Sequence, residues 1–214
     1  MTAQNGLPES PPKRLIIGIS GASGVIYGIR LLEALRTLPI ETHLVVSRSG
    51  EVTLAYETDR KLAEVKALAD VCHPVADIGA AISSGSFRTL GMVIAPCSIR
   101  SMAEIATGVT STLLTRAADV TLKERRRLVL MLRETPLHSG HLRNLLALSE
   151  MGAVIAPPVP AFYANPQTID DLVDQSVGRV LDLFGIESPL VRRWGETEPS
   201  GEAPLRAVKR ARRP

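Results

Sequence analysis

The chain has very few aromatic residues, with one tryptophan, three tyrosines and three phenylalanines among its 214 residues. Modules that bind single-stranded nucleic acid stack the bases on exposed aromatic rings, so this scarcity argues against such a module. Hydrophobic residues still make up 45% and charged residues 22% of the chain, which is an ordinary globular mixture. At this length we expect one large domain rather than two.

Cysteine is equally scarce, because Cys72 and Cys97 are the only two. They form no Cys-x-x-Cys pair and have no metal-ligand spacing, so we predict neither a disulfide framework nor a zinc site. No apolar run approaches the ~20 residues that span a bilayer. The polar, proline-rich start also lacks the apolar core of a signal peptide. We therefore expect a reduced, cytoplasmic protein.

Acidic residues are missing from the last ten positions, which hold five positive charges. The formal net charge of the chain is +3, and subtracting those five charges leaves −2 for the remainder. We interpret residues 189–214 as a basic, solvated tail, residues 1–13 as a flexible N-terminal extension and residues 14–188 as the single domain. A nucleic-acid-binding arm is the alternative for the tail. The five basic residues are Arg206, Lys209, Arg210, Arg212 and Arg213.

Short aliphatic runs alternate with helical patterns along the domain. Runs that are apolar throughout predict strands buried on both faces, as in parallel sheets. Helical periodicity marks residues 25–36 and 142–151, and most clearly the stretch from Ile169 to Phe184. The alternation predicts a three-layer, doubly wound α/β domain, flavodoxin-like or Rossmann-like, that binds ligands at the carboxyl ends of its strands. The predicted strands are 15–19, 43–46, 91–95, 128–132 and 153–156.

Small residues follow the first two predicted strands. Residues 18–24 read Gly-Ile-Ser-Gly-Ala-Ser-Gly, and such a turn before a helix lets backbone N–H groups and the helix dipole approach an anion. The spacing matches neither the dinucleotide fingerprint nor the P-loop. The alternative is a tight turn in which Ser23 caps the helix. Ser47, after the second strand, either bonds to a ligand or caps a helix.

Polar residues also follow the third strand, which we expect Pro96 to end. Ser98 and Ser101 predict a second site for an anion or a ring edge at the start of a helix. Cys97 is either a nucleophile or a buried structural thiol, and no base lies near it in the sequence.

Arg133 and Glu134 follow the fourth strand. A charged pair at a buried strand end is costly without partners, so we interpret it as a site in which arginine holds a phosphate and glutamate handles a proton. His138 and His141 have the spacing of helical metal ligands, but no third ligand accompanies them.

The proline-rich stretch 157–163 follows the fifth strand and ends in Tyr163. It is either a wall for an apolar substrate or a loop packed on the sheet edge. Further basic residues are Arg116 and Lys123, seven apart on one face of a predicted helix, and Arg179, which borders the apolar stripe of the last helix. Each of the three either serves a site or forms an ordinary surface salt bridge.

Seven stretches in this order resemble the UbiX family of flavin prenyltransferases over residues 14–186. No single stretch identifies the family, but their combination and intervals are specific. They are GISGASG (18–24), ETHLVVS (41–47), ISSGSF (82–87), PCS (96–98), RAADVTLKERR (116–126), RETPLH (133–138) and PPVPAFY (157–163).

The resemblance implies a homo-oligomer, typically a dodecamer, that binds flavin mononucleotide (FMN) between its subunits. It implies that dimethylallyl monophosphate alkylates reduced FMN at N5 and C6, that phosphate leaves and that no metal is required. The prenylated FMN would serve UbiD-type decarboxylases, as in ubiquinone biosynthesis.

The resemblance also implies roles for individual positions. Ser23 and Glu134 match a pair that handles protons near the reaction centre, and Arg100 stands where lysine is common in the family. Flavin contacts are implied at Gly21, Ala22, Ser23, Ser47, Ser98, Ile99, Arg100, Ser101 and Arg133. Contacts to dimethylallyl phosphate are implied at Tyr163 and Arg179, with Arg116, Lys123 and Glu134 around it; Ser23, Glu134, Lys123 and Arg116 form the catalytic set.

Three other functions compete with this interpretation. A flavoprotein that decarboxylates a peptidyl cysteine would share the flavin site but lack the RETP and PPxPxFY stretches. A nicotinamide-dependent dehydrogenase would need the GxGxxG fingerprint, which is missing here. A non-catalytic flavin-binding or nucleic-acid-associated protein would rely on the basic tail.

Overall fold

The computed structural model describes residues 12–195, and these residues form a parallel sheet. The strands are β1 (Lys13–Ile19), β2 (Ile40–Val46), β3 (Val71–His73), β4 (Gly91–Cys97), β5 (Arg127–Leu132) and β6 (Val154–Ile155). Their order in the sheet is β3-β2-β1-β4-β5-β6, and every pairing is parallel. The order reverses between β1 and β4, as in the doubly wound Rossmann arrangement, so the predicted fold class is confirmed.

Helices cover both faces of this sheet. Because side chains alternate along a strand, Leu15 and Ile17 of β1 belong to one core with the first and last helices, whereas Ile16 belongs to a second core on the opposite face. Two cores around one sheet make three layers. The helices between residues 12 and 195 are α1 (Val25–Leu35), α2 (Arg48–Glu57), α3 (Leu62–Lys66), α4 (Ile99–Ala106), α5 (Leu113–Lys123), α6 (Ser139–Glu150) and α7 (Ile169–Asp182).

The predicted strands are all present, but two details differ from expectation. The edge strand β3 was not predicted, because three partly exposed residues carry no apolar run. The prediction that Pro96 ends its strand is wrong, since β4 continues to Cys97. The pairing of β4 with β5 shifts register between Ile94 and Cys97, and such a bulge accommodates a proline that lacks the N–H for a ladder hydrogen bond.

The predicted helices are present too, although not every apolar residue in them is buried. In α7 the stripe from Val173 to Leu181 faces the core, but Ile169 is 77% exposed. In α6 only Leu148 is buried, whereas Leu142 and Leu146 are 54% and 60% exposed. Helix α6 therefore presents an apolar face outward. No helix within residues 12–195 is both long and apolar enough to cross a membrane.

Residues 189–195, which we assigned to the tail, pack against α7. Val191 lies so close to Gly178 that a Cβ there would come within 3.0 Å of the Val191 backbone nitrogen and Cβ. The Arg193 guanidinium makes two hydrogen bonds to Asp182, of 2.7 and 2.8 Å. The basic residues from 206 onward and the extension before residue 12 lie outside the described residues.

Candidate active site

A cleft of about 570 Å³ opens at the carboxyl edge of the sheet, beside the point where the strand order reverses, and is lined by residues that follow β2, β3 and β4. Ligands bind at this position in open α/β sheets. Charged groups in the lining are Arg48, Arg100 and Glu104. Hydroxyl groups that can bond to phosphate, ribityl or ring-edge atoms come from Ser47, Ser49, Ser98, Ser101, Ser111, Thr112 and Thr115. We call this feature the hydroxyl cleft.

The turn after β1 is fixed to its neighbours on both sides. The fully buried Ser20 hydroxyl donates to the carbonyl oxygen of Pro96 at 2.8 Å and accepts from the Ser98 N–H at 2.8 Å. On the other side, a Cβ at Gly21 would lie 2.3 Å from the Cβ of Ser49, so only glycine fits there. The sequence motifs assign Ser20 no role, although a polar residue directly after a buried strand is a usable signal.

The start of α1 differs from both expectations for the glycine-rich turn. Ser23 does not cap the helix; Gly24 holds the cap position, with φ of 97°. The N–H groups of Gly24 and Val25 donate to a Glu57 carboxylate oxygen at 2.8 and 3.1 Å. A protein carboxylate thus occupies the place where we expected a ligand anion. The exposed Ser23 hydroxyl has no hydrogen-bond partner among residues 12–195 and is available to a ligand.

Ser47 and Ser98 both cap helices at the edge of the hydroxyl cleft. The Ser47 hydroxyl accepts from the Gly50 N–H at 3.0 Å, and the Ser98 hydroxyl accepts from the Ser101 N–H at 3.3 Å. The capping alternative for Ser47 is therefore confirmed. Capping does not exclude ligand binding, because a hydroxyl has one donor and two acceptor positions.

The Arg100 side chain forms an ion pair within the subunit. Its Nε lies 2.8 Å from a Glu104 carboxylate oxygen, although the Arg100 side chain is 80% exposed. Desolvation alone would raise the pKa of Glu104, but hydrogen bonds from Ser111 and Arg100 outweigh it and lower that pKa. Glu104 is thus a carboxylate at neutral pH and keeps Arg100 at the cleft. Sequence reasoning missed Glu104 and the hydroxyls at the start of α5.

Arg133 and Glu134 are exposed after β5, so our argument from a costly buried pair is wrong. Strand burial ends at Leu132, and solvent reaches both side chains. The Arg133 N–H bonds to the Cys97 carbonyl at 3.1 Å, which places this loop beside the β4 loop. The Glu134 carboxylate accepts from the Thr135 N–H at 3.0 Å. A carboxylate with this single bond keeps most of its acceptor capacity.

Arg116 and Lys123 lie on α5, which runs from the carboxyl edge of the sheet back toward the start of β5. Seven residues of helix separate them by about 10 Å. Lys123 therefore lies toward the opposite edge, where a Cβ at Gly85 would be 2.8 Å from its Nζ. Arg116 pairs with Asp119 at 2.8 Å and Lys123 pairs with Glu124. Within one subunit, Arg116 and Lys123 therefore form ordinary surface salt bridges, which was the alternative to a role in a site.

Tyr163 and Arg179 lie on the far side of β5, away from the hydroxyl cleft. The loop after β6 and α7 enclose a second, mainly apolar pocket of about 340 Å³, whose lining includes Pro157, Val159 and Arg179. The apolar lining supports the interpretation that the 157–163 loop forms a wall for an apolar group. Arg179 pairs with Asp182 at 2.7 Å. Hydrogen bonds from Arg193, together with the Arg179 pairing, lower the pKa of Asp182 despite its partial desolvation.

Cys97 and the histidine pair have local structural explanations. Complete burial raises the pKa of the Cys97 thiol to about 12, so it is protonated at neutral pH and does not act as a nucleophile. His138 caps α6, because its Nδ1 accepts from the N–H groups of Gly140 and His141 at 3.0 and 3.4 Å.

One subunit thus brings together only part of the predicted site. Ser47, Ser98, Arg100 and Ser101 meet at the hydroxyl cleft. The glycine-rich turn adjoins it through Ser20 and Gly21, and Arg133 is linked to its β4 side. Lys123 lies toward the opposite edge of the sheet, Arg179 lines the second pocket, and Tyr163 contacts Gln175 of that lining.

The fold and the hydroxyl cleft define a class of protein. A doubly wound parallel sheet that binds at its switch point, without a glycine fingerprint for a dinucleotide, is typical of proteins that hold a single flavin nucleotide. The family model named Flavoprotein matches residues 5–181, so the class is the flavoproteins.

Individual relatives narrow this class. The chain is 62% identical over 185 residues to the flavin prenyltransferase UbiX of Escherichia coli K12, covering 85% of this chain and 98% of the relative. It superposes on AnUbiX (PadA1), crystallised with FMN and dimethylallyl pyrophosphate, with a TM-score of 0.86 and 51% identity, covering 88% and 100% of the two chains. The chain belongs to the UbiX family of flavin prenyltransferases.

Two further structures define the range of the similarity. A dodecameric FMN-dependent UbiX-like decarboxylase from Escherichia coli O157:H7 shares 53% identity with a TM-score of 0.83, covering 85% of this chain and 98% of that one. The FMN-dependent cysteine decarboxylase TvaF shares only 16% identity with a TM-score of 0.56, covering 68% and 90%. The likeness to TvaF shows the fold alone, so the peptidyl-cysteine alternative is not favoured.

Ser20 and Ser23 form a matched pair for testing this geometry. Replacing Ser20 by alanine leaves the Ser98 N–H without its partner, whereas the Pro96 carbonyl keeps the Ser20 backbone N–H at 3.2 Å, and we expect a loss of about 1–3 kcal/mol in the free energy of unfolding. Ser23→Ala removes an exposed hydroxyl without a partner, and we expect a change within about 0.5 kcal/mol. Urea denaturation measures both values. Equal losses in the two variants would contradict the assigned role of Ser20.

Proposed function

We propose that this chain transfers the dimethylallyl group of dimethylallyl monophosphate to N5 and C6 of reduced FMN, and that phosphate is released. The observation that carries the proposal is the hydroxyl cleft at the switch point of the sheet. AnUbiX, the relative with FMN and dimethylallyl pyrophosphate bound, supports FMN and a phosphate ester of the dimethylallyl group as the two ligands of this chain. Reduced FMN is a substrate here, and its N5 and C6 supply the nucleophilic atoms.

The residues of the hydroxyl cleft suit the flavin. The glycine-rich turn adjoins these hydroxyls, because Gly21 packs against Ser49 and Ser20 bonds to the Ser98 N–H. In our proposal, the backbone of Gly21 and Ala22 and the available Ser23 hydroxyl contact the flavin together with the capping hydroxyls of Ser47 and Ser98. These backbone and hydroxyl groups supply many donors and acceptors, which matches the ribityl chain and ring edge of a flavin. In our proposal, Ile99, Arg100 and Ser101 at the start of α4 and Arg133 after β5 complete the flavin contacts.

The basic residues and Tyr163 suit the leaving phosphate. Negative charge grows on the phosphate as the allylic C–O bond breaks, and fixed cationic donors stabilise that charge. Arg179 and Tyr163 bind the phosphate in this proposal, with Arg116 and Lys123 nearby. The partly exposed carboxylates of Asp119 and Asp182 hold Arg116 and Arg179 in place until a phosphate binds.

The distance between these groups supports a site built from more than one subunit. Lys123 lies toward the opposite sheet edge from the hydroxyl cleft within one subunit, so it acts in the site of a neighbouring subunit. Helix α6 offers a matching surface, since Leu142 and Leu146 are exposed on it. A homo-oligomer that buries this face, and specifically a dodecamer like the UbiX-like relative, satisfies both observations.

Glu134 and Ser23 serve as the proton-handling pair in this proposal. N5 and C6 each lose a proton as the two new bonds form, one proton leaves with the phosphate, and the prenyl double bond gains one so that its tertiary carbon can bond to C6. A positioned carboxylate that can accept and return a proton is suited to this transfer. The exposed Glu134 carboxylate has that capacity, and its single bond to the Thr135 N–H holds it at the end of β5.

The product and the location follow from the same proposal. Prenylated FMN would pass to a UbiD-type decarboxylase, as in ubiquinone biosynthesis. We also propose a cytoplasmic location, supported by the cysteines: Cys72 and Cys97 both carry free thiols, as in proteins of a reducing compartment.

Mass spectrometry tests the reaction directly. Anaerobic incubation of the full chain with reduced FMN and dimethylallyl monophosphate is expected to yield a flavin heavier by one C5 unit. A parallel reaction with dimethylallyl diphosphate identifies the preferred donor, and oxidised FMN is the negative control. Unmodified flavin in every reaction with folded protein would refute the proposed transfer.

Glu134→Gln tests the proton step, because glutamine keeps the size of the side chain but cannot accept a proton. We expect turnover to fall by about 10²–10⁴-fold, the usual contribution of general acid–base catalysis, and FMN affinity to change by less than about twofold. Rapid-quench kinetics and FMN titration measure the two quantities. A parallel decrease in both would indicate a purely structural role.

Leu146→Glu tests the subunit interface. A charge placed in a buried apolar contact is costly, so we expect smaller assemblies by native mass spectrometry and lower prenylation activity, with an unchanged far-UV circular dichroism spectrum. An assembly of wild-type size would show that the α6 face lies outside the interface.

A further inference from the structure

Gln175 is a polar residue inside the apolar stripe of α7, between Val173 and Val177, and it is only 5% exposed. An amide in such a position destabilises the fold unless its groups are hydrogen-bonded. The Nε2 and Oε1 atoms of Gln175 both have hydrogen-bond partners, so no polar group of the buried amide is left unsatisfied.

The hydrogen-bond partners also determine the orientation of the Gln175 side-chain amide. Gln175 Oε1 accepts from the backbone N–H of Arg192 at 2.8 Å, and Nε2 donates to the carbonyl oxygen of the same residue at 3.1 Å. The side chain therefore pairs with both backbone groups of Arg192, as a neighbouring strand would. Because the Arg192 N–H can only donate, Oε1 must be the atom that faces it.

The remaining Nε2 hydrogen points at Tyr163. Gln175 Nε2 lies 3.1 Å from the Tyr163 hydroxyl oxygen, and the amide N–H can only donate. The phenol oxygen is thus the acceptor in this bond, and the phenol's own O–H hydrogen stays free to donate elsewhere. The Tyr163 side chain is 49% exposed, so that hydrogen is open to an incoming ligand.

The segment after α7 holds Tyr163 from its other side. The Trp194 ring packs edge-on against the Tyr163 ring, with centroids 5.5 Å apart and an interplanar angle of 83°. The Arg192 guanidinium donates to the Ala164 carbonyl oxygen at 3.0 Å. Gln175 is therefore the buried group that joins α7, the turn carrying Tyr163 and the segment carrying Trp194.

We infer that Gln175 is a positioning residue for the phosphate of the prenyl donor. It holds the Tyr163 oxygen as an acceptor, so that the phenol donates its hydrogen to the donor phosphate, and it anchors the 190–194 segment that packs on the Tyr163 ring. The inference rests on the proposed function, in which Tyr163 binds that phosphate. It assigns Gln175 no contact with FMN.

Gln175→Met tests the inference, because methionine has a similar size and no hydrogen-bonding groups. We expect the KM for dimethylallyl monophosphate to rise about tenfold, the effect of one lost bond to a charged ligand, while FMN affinity stays within about twofold. Gln167→Met is the matched control, since the exposed Gln167 amide bonds only to the Asn165 carbonyl in its own loop. A parallel loss of FMN affinity, or an unchanged donor KM, would overturn the inference.

A double-mutant cycle shows whether Gln175 acts through Tyr163. In a Tyr163→Phe background, Gln175→Met is expected to change the donor KM by less than about twofold, because the shared bond is already lost. A full additional tenfold rise would overturn the inference. Gln175→Glu replaces the methionine variant if that variant does not fold: it keeps the acceptor for the Arg192 N–H, lacks both donors, and is expected to show the same donor-specific loss.

Trp194 provides a readout that does not depend on the reaction, because the chain has a single tryptophan. In the flavin-free full chain, Gln175→Met is expected to increase the fast local component of Trp194 fluorescence anisotropy, and Gln167→Met is not. An unchanged decay would overturn the anchoring role. Wild-type protein that makes no prenylated flavin would instead refute the proposed function, and the anisotropy result would stand on its own.

Discussion

The parallel pairing of β1 with both β2 and β4 is the constraint on which the rest of the structure depends. It brings the carboxyl ends of three strands to one edge and reverses the strand order between β1 and β4, which opens a crevice at that edge. The buried Ser20 hydroxyl then joins the β1 and β4 turns through two short hydrogen bonds. Because these bonds are buried, the relative position of the two turns is fixed before any ligand arrives.

The same geometry explains why one subunit holds an incomplete site. Helix α5 must return to the amino edge of the sheet to begin β5, so Lys123 is carried away from the hydroxyl cleft. Tyr163 follows β6, which lies two strands beyond β4 at the edge of the sheet, and Arg179 flanks the pocket beside it. The separation between the groups proposed for the flavin and those proposed for the phosphate is thus a consequence of topology. In the proposed oligomer, the apolar outer face of α6 is the surface through which subunits associate and bring these groups together.

Protein groups occupy several positions that sequence motifs assign to ligands. Glu57 accepts the first N–H groups of α1, and Asp182 holds Arg179 together with Arg193. These carboxylates satisfy donors that would otherwise be unpaired, and they keep cationic side chains in fixed orientations. Gln175 does the same for Tyr163 with a neutral amide. A site for a phosphate ester and a neutral ring system thus receives its geometry from residues outside the recognised motifs.

The sequence by itself determined the fold class, the strand-end motifs and the family, because these depend on local apolar periodicity and on residue types at fixed spacing. Only the tertiary structure decided which donors are already paired. It showed that Ser23 is available while Ser47 caps a helix, that Arg133 and Glu134 are exposed, and that residues 189–195 pack on α7. Such outcomes depend on contacts between residues far apart in the chain, as between Gly24 and Glu57 or Gln175 and Arg192. No local pattern encodes those distances.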